Sequence, residues 1–272
     1  MSVNVGNLEP GDATTAQTTP ASTLSWRRLL ARAGGCLPGA CALCGRTGQF
    51  ALCPECRAHH FGGARRRCRC CALPLTSTTT GDAPCGQCMR TPPAFDATFV
   101  ATDYVAPADQ LVLELKFGGR LALAPLFAGL LDEAIMLSLS TRAGGAPRPA
   151  LPDCLIAVPL GPLRLQQRGF NQALEIARPL AASRAMVLAP RMLIRTRDTA
   201  AQAQLSPGER RQNLRGAFTL APAFVSQVRG RHIGVVDDVM TTGSTLHEIA
   251  ATLKRFGAAR VTNLVFARTL PG

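Results

Sequence analysis

The chain has 272 residues, 47% of them hydrophobic and 5% aromatic, with 30 Lys and Arg against 17 Asp and Glu for a formal net charge of +13. That length holds one large domain, or a small one beside a medium one, and the apolar content suits a folded core rather than a wholly disordered chain. No run reads as a bilayer span: the longest apolar stretch, Leu121 to Leu139, is interrupted by Pro125, Asp132 and Glu133 and reads as a buried helix.

Residues 1–35 form the first segment. Up to about residue 24 they are mostly Thr, Ala, Ser, Gly and Pro, too poor in large apolar side chains to build a core, and the expectation is a disordered tail. Ser25 to Ala33 reads as a short basic helix or a frayed lead-in. Only Leu29-Leu30-Ala31 lies between Arg27-Arg28 and Arg32, which is no secretory h-region, so a reducing compartment is expected.

Residues 36–92 hold ten of the eleven cysteines. Four CxxC pairs follow in order: Cys41/Cys44, Cys53/Cys56, Cys68/Cys71 and Cys85/Cys88. A CxxC knuckle aims two thiolates to one side, and two knuckles complete a tetrahedral S4 site that suits zinc. The simplest pairing puts the first two pairs on one structural zinc and the last two on another, a double zinc ribbon. Cys36 and Cys70 stand outside the pairs, and His59 and His60 are alternative ligands or a solvated pair. With cysteine in every position no coordination site stays open for water, so the metal is expected to clip the fold rather than catalyse.

From residue 93 to 272 apolar runs of strand and helix length alternate. The pattern predicts a strand over Phe95 to Tyr104, helices over Ala108 to Phe117 and Leu121 to Leu139, and a Pro/Gly-rich loop over Arg142 to Pro152. It continues with a buried strand over Cys154 to Val158, a helix over Phe170 to Ala182, and short strands at Met186 to Leu188 and Met192 to Ile194. A strand over Ile233 to Val236, a helix over Ser244 to Phe256 and a strand over Arg260 to Ala267 close the chain. Strands alternating with helices imply an α/β domain, a mostly parallel sheet with flanking helices.

The run from His232 to Thr245 carries the sharpest chemistry. A buried strand leads into Asp237 and Asp238, then Thr241, Thr242, Gly243, Ser244 and Thr245 precede a helix. Helix N-termini present free N–H groups and a positive dipole end to anions, the hydroxyls add donors, and glycine lets a backbone approach closely. The two acids repel phosphate but accept hydrogen bonds from sugar hydroxyls. A site reading phosphate at one end and a diol at the other describes ribose 5-phosphate. The +13 charge also favours phosphates, whether of nucleic acid or of a small polyphosphate, although a GC-rich codon bias would equally enrich arginine.

This run resembles the PRPP-binding motif of type I phosphoribosyltransferases. Together with Leu115-Lys116-Phe117-Gly118-Gly119, Arg168-Gly169-Phe170-Asn171-Gln172, the segment Arg195 to Gly216 (Ser206, Glu209, Arg210, Arg211, Asn213, Arg215) and the cysteine pairs, the chain resembles the ComF competence-protein family over about residues 36–268. The resemblance implies a type I phosphoribosyltransferase fold after the zinc ribbons, a cytoplasmic location, PRPP bound with Mg2+, and a role with incoming single-stranded DNA and a competence helicase. It implies ribose contacts at Asp237 and Asp238 and phosphate contacts from Thr241 to Thr245. It implies a pyrophosphate loop over Val158 to Arg164, unusual in its Pro159 and Pro162, with Arg164 or Arg168 as cations. A hood over Arg195 to Asn213 would bring Arg195, Arg197 and Arg210, and Lys116 is either a phosphate or nucleobase contact or a helix-end charge. Three readings follow: an enzyme, a non-catalytic DNA- or partner-binding module, and a nucleobase-salvage transferase.

Overall fold

In the computed structural model, the described residues are 39–63, 65–75, 84–140, 150–196 and 216–271. The expected tail, Cys36, most of the loop expected over Arg142 to Pro152 and most of the hood segment, Arg197 and Arg210 included, lie outside them.

The cysteine-rich segment has little regular structure: β1 (Gly39–Ala40) pairs antiparallel with β2 (Thr47–Gly48), and two helices follow, α1 (Pro54–Phe61) and α2 (Gly86–Arg90). Cys53 caps α1 by accepting from the Cys56 backbone N–H, and Pro54 suits the first helical turn.

The remaining elements are β3 (Ala97–Asp103), α3 (Ala108–Phe117), α4 (Leu123–Ser140), β4 (Cys154–Ala157), α5 (Pro162–Arg168), α6 (Gln172–Ser183), β5 (Val187–Leu188), β6 (Leu193–Arg195), β7 (Phe218–Leu220), a 3-10 turn with α7 (Val225–Val228), β8 (His232–Met240), α8 (Ser244–Arg255) and β9 (Arg260–Arg268). Five strands form one parallel sheet in the order β3-β9-β8-β4-β5. The α/β class and the parallel sheet are as expected. β6 and β7 pair antiparallel as a separate ribbon, and β7 and α5 had no counterpart in the sequence pattern.

Topology places the site. The chain moves one way along the sheet from β4 to β5 and the opposite way from β8 to β9. Parallel crossovers are right-handed, so α6 and α8 fall on opposite faces. The direction reverses between the neighbours β4 and β8, and a cleft opens beyond the carboxyl ends of strands at such a switch point.

α4 is long and apolar enough, by length and composition, to cross a membrane. Eight of its residues are buried, among them Leu123, Phe127, Leu131 and Ile135, and it packs on β3, β9 and α6. Phe127 stacks on Phe266 of β9 with ring centroids 3.7 Å apart. It is a core helix, as its interrupting charges suggested: Asp132 takes both Nε and Nη2 of Arg184, at 2.6 and 2.8 Å.

Candidate functional site

β8 runs four residues beyond the expected end. β9 is nine residues long and pairs with it through Met240, so Asp237 and Asp238 stand on the strand itself rather than in the loop after it. The chain then turns at Gly243, whose φ of +79° is left-handed, and α8 begins at Ser244. A Cβ on Gly243 would sit 2.5 Å from Met240 Cε. Gly243→Ala is therefore expected to cost about 1–2 kcal/mol from the backbone alone, read as a lower urea midpoint with an unchanged slope.

A cleft of about 280 Å3 lies at this switch point. Its lining includes Lys116, Arg164, Arg168, Arg195, Asp237, Asp238, Thr241, Gly243, Ser244 and Thr245. Residues spread from α3 to α8 thus converge on one space. Thr242 does not line it; its hydroxyl shares a 2.9 Å hydrogen bond with the Ser244 hydroxyl and accepts from the Ser244 N–H, bracing the turn.

Asp238 is 3% exposed and forms an ion pair with Lys116 Nζ at 2.6 Å. Lys116 thus occupies the last turn of α3, before the Gly118 cap, and also points into the cleft. Asp237 is half-buried, and its carboxylate accepts from the Asp238 backbone N–H at 2.9 Å. Loss of solvent, and then the adjacent Asp238 charge, push the Asp237 carboxyl well above its usual range against the pull of Lys116.

The opposite wall is basic. Arg168 donates to Gln172 Oε1 at 3.0 Å and lies over the Phe117 ring, 5.0 Å from its centroid. Burial lowers its pKa, Arg164 adds to this, and Asp238 opposes it. The Arg168-to-Gln172 run is shared between two tasks. Asn171 caps α6, accepting from Ala173 and Leu174 while donating to the Val158 carbonyl, and so locks the loop after β4; Arg168 and Gln172 face the cleft. Val158, Pro159 and Leu160 line it from that loop, while Pro162 starts α5 rather than reaching the cleft. The sequence singles out Gln172 with Arg168, whereas sequence reasoning missed Tyr104. Tyr104 follows β3 with no motif around it; only the strand's position beside β9 brings it in.

Cys41, Cys44, Cys53 and Cys56 form one group, and Cys68, Cys71, Cys85 and Cys88 another; within each, the four sulfurs lie within 4.8 Å of one another. This is the pairing expected from spacing, and each group could hold zinc, which supplies a cation joining two knuckles. Backbone N–H groups of Cys53 and Cys85 donate to Cys41 Sγ (3.4 Å) and Cys68 Sγ (3.1 Å), the support a thiolate needs. Crowding shows in the thiols. The Cys71 hydrogen bond draws Cys68 down to about 4, while burial pushes Cys88 up to about 12. A divalent cation removes that conflict. Cys70, His59 and His60 are outside both groups; the two histidines meet edge to face, 4.6 Å between centroids.

Residues 169–270 match the family described as phosphoribosyl transferase domain. The chain is 37% identical over 238 residues to the DNA utilization protein YhgH of Escherichia coli O157:H7, covering 86% of this chain and 99% of that protein. It is 36% identical over 234 residues to YhgH of Salmonella typhi, covering 85% and 91%. It is 32% identical over 177 residues to competence protein F of Haemophilus influenzae, covering 65% and 75%.

Proposed function

Because the chain belongs to the ComF family, together with the competence and DNA utilization proteins it resembles, we propose that its transferase-type domain binds PRPP or another ribose 5-phosphate ligand with Mg2+ in the switch-point cleft. The observation that carries this reading is the division of one cleft into an acidic floor and a basic, hydroxyl-rich rim. Thr241, Gly243, Ser244 and Thr245 at the N-terminus of α8 suit the 5-phosphate. Asp237 and Asp238 suit the ribose hydroxyls. Arg164, Arg168 and Arg195 suit a pyrophosphate, with Arg210 of the hood as a further candidate.

Paired carboxylates with excess negative charge are a fitting oxygen donor set for Mg2+, which when bound offsets the charge of the pyrophosphate. The chemistry such a site supports is transfer of the ribosyl group. The bond from C1 to the pyrophosphate oxygen breaks, its electron pair leaves with pyrophosphate, and a nitrogen of a nucleobase-type acceptor bonds to C1 and gives up its proton to the departing pyrophosphate or solvent. The chain's own part is to hold the leaving group among its arginines and to orient the ribose in a cleft lined also by Tyr104 and Leu160.

The biological task we assign is competence: handling incoming single-stranded DNA in the cytoplasm, beside a helicase or another DNA-processing partner. A second reading, a binding module without transfer, draws support from the exposed arginines Arg69 and Arg90 on the cysteine-rich segment, which would contact phosphates. A nucleobase-salvage transferase is the third.

Calorimetry with PRPP and Mg2+ tests the core of the reading. The wild-type chain is expected to bind, and Asp237→Ala with Asp238→Ala to weaken binding about 10–100-fold, as lost hydrogen bonds to charged groups do. Absent binding, or an unaffected double variant, removes the ribose-phosphate reading. Pyrophosphate release in a screen of nucleobases separates enzyme from module. A gel shift with single strands that ignores salt would count against direct DNA contact.

A further inference from the structure

Arg268, the last residue of β9, is 5% exposed and lies between the second cysteine group and the loop that begins at Met240. Its Nε donates to the Cys71 carbonyl at 3.0 Å, and its Nη1 donates to the carbonyls of Met240 (3.0 Å), Thr241 and Thr269 (2.8 Å). One planar guanidinium thus ties a cysteine knuckle to the first residues of the candidate phosphate loop. Among the described residues it forms no ion pair with a carboxylate. A buried cation without a carboxylate needs another source of negative charge. Asp103, opposite Arg268 on β3, is already taken by Arg65 and Arg67; the Cys68-Cys71-Cys85-Cys88 group, whose Cys71 carbonyl Arg268 holds, carries two net negative charges when four thiolates bind one divalent zinc.

The neighbouring contacts run the same way. Arg65 and Arg67, just before Cys68, both hold Asp103 at the end of β3, at 2.8 and 2.7 Å. The Arg268 carbonyl accepts from the Tyr104 N–H at 2.7 Å, and Tyr104 lines the cleft. The cysteine group is therefore fastened at two points to the segments that shape the cleft.

We propose that Arg268 is a positioning residue coupling metal occupancy of the Cys68-Cys71-Cys85-Cys88 group to the conformation of the Met240–Thr245 loop, so that zinc in that group and a ribose-phosphate ligand in the cleft strengthen one another. The ligand half rests on the function proposed above; the zinc-to-loop half does not. Lysine keeps the charge at this position but lacks the planar fork that reaches both the Cys71 and Met240 carbonyls. Coupling free energies are reciprocal, so a ligand tightened by zinc must tighten zinc in return.

The test uses the full chain, as wild type, Arg268→Lys and Arg268→Gln. Zinc affinity is measured by competition with a chromogenic chelator, loop mobility by amide exchange of peptides spanning Met240 to Leu246, and ligand affinity by calorimetry with PRPP and Mg2+. In wild type, removal of zinc is expected to speed loop exchange and saturating PRPP to raise zinc affinity about tenfold, within the usual range of such couplings. Both variants are expected to bind zinc more weakly than wild type and, with zinc loaded, to show the faster loop already, with no response of zinc affinity to PRPP. Wild-type zinc affinity or wild-type loop exchange in the zinc-loaded variants would overturn the proposal. So would wild-type loop exchange that ignores zinc removal. If wild type binds no PRPP yet its loop exchange follows zinc through Arg268, the ligand reading fails and the coupling stands.

Discussion

A chelator strong enough to strip both cysteine groups will unfold the cysteine-rich segment and leave the parallel-sheet domain folded. Among the described residues of 39–92, the buried positions are cysteines plus Leu52 and Ala72. Two strands of two residues and helices of eight and five residues cannot stand on two apolar side chains. Structural zinc contributes about 10–16 kcal/mol per site in small zinc-bound folds, far more than any contact within this segment. Metal analysis should find about two zinc ions per chain. After chelation, limited proteolysis should cut within residues 39–92 and spare the strands and helices of the parallel-sheet domain. A segment that resists protease without metal, or a chain with one zinc, would show that half of these thiols do something else.

The second large effect concerns Lys116. Replacing it by methionine keeps the apolar stem of the side chain and removes the cation that, among the described residues, forms an ion pair with the buried Asp238 carboxylate, beside an Asp237 already crowded by the same charge. Breaking a buried pair by deleting one member costs about 3–5 kcal/mol, and the partial exposure of Lys116 puts this case near 3. The pH dependence has a definite sign. A carboxyl whose folded pKa is raised above its unfolded value contributes stability that is fully present below the unfolded value and is lost as pH rises through the folded one. Lys116 pulls Asp237 down. Without it that carboxyl rises further, so the variant's deficit should be larger at the higher pH and shrink as pH falls through the raised range of Asp237. Urea melts of both proteins at pH 8 and pH 5 measure the difference; a deficit of equal size at both would rule out the ionic explanation.

Much of this protein can be read from local pattern. The CxxC spacing groups the eight thiols correctly because a knuckle is built from residues close in sequence. The helix over Ala108 to Phe117 ends where the pair Gly118-Gly119 follows Phe117, and strands β3, β4, β8 and β9 announce themselves as buried apolar runs. The strand, acid pair, hydroxyl-Gly turn and helix start are contiguous, so the candidate phosphate loop is legible without any fold. The resemblance to a family added the basic wall, since Arg164, Arg168 and Arg195 carry no periodic signal that would single them out among so many arginines.

What tertiary structure alone decided concerns partners far apart in the chain. Sequence could not say whether Lys116 serves as a helix-end charge or a cleft residue; its ion pair with Asp238 of β8, across the cleft, makes it both. It could not carry β8 past Val236, because the continuation depends on β9 offering backbone partners through Arg268. It could not find Tyr104, nor see that Arg268 joins Cys71 to Met240. The physical reason is common to all of these. Periodicity and caps are short-range consequences of backbone geometry, whereas strand order and crossover hand determine which distant side chains share a low-dielectric space. Composition and motif named the chemistry available to the chain, and the order of five strands decided which of those groups meet in one cleft.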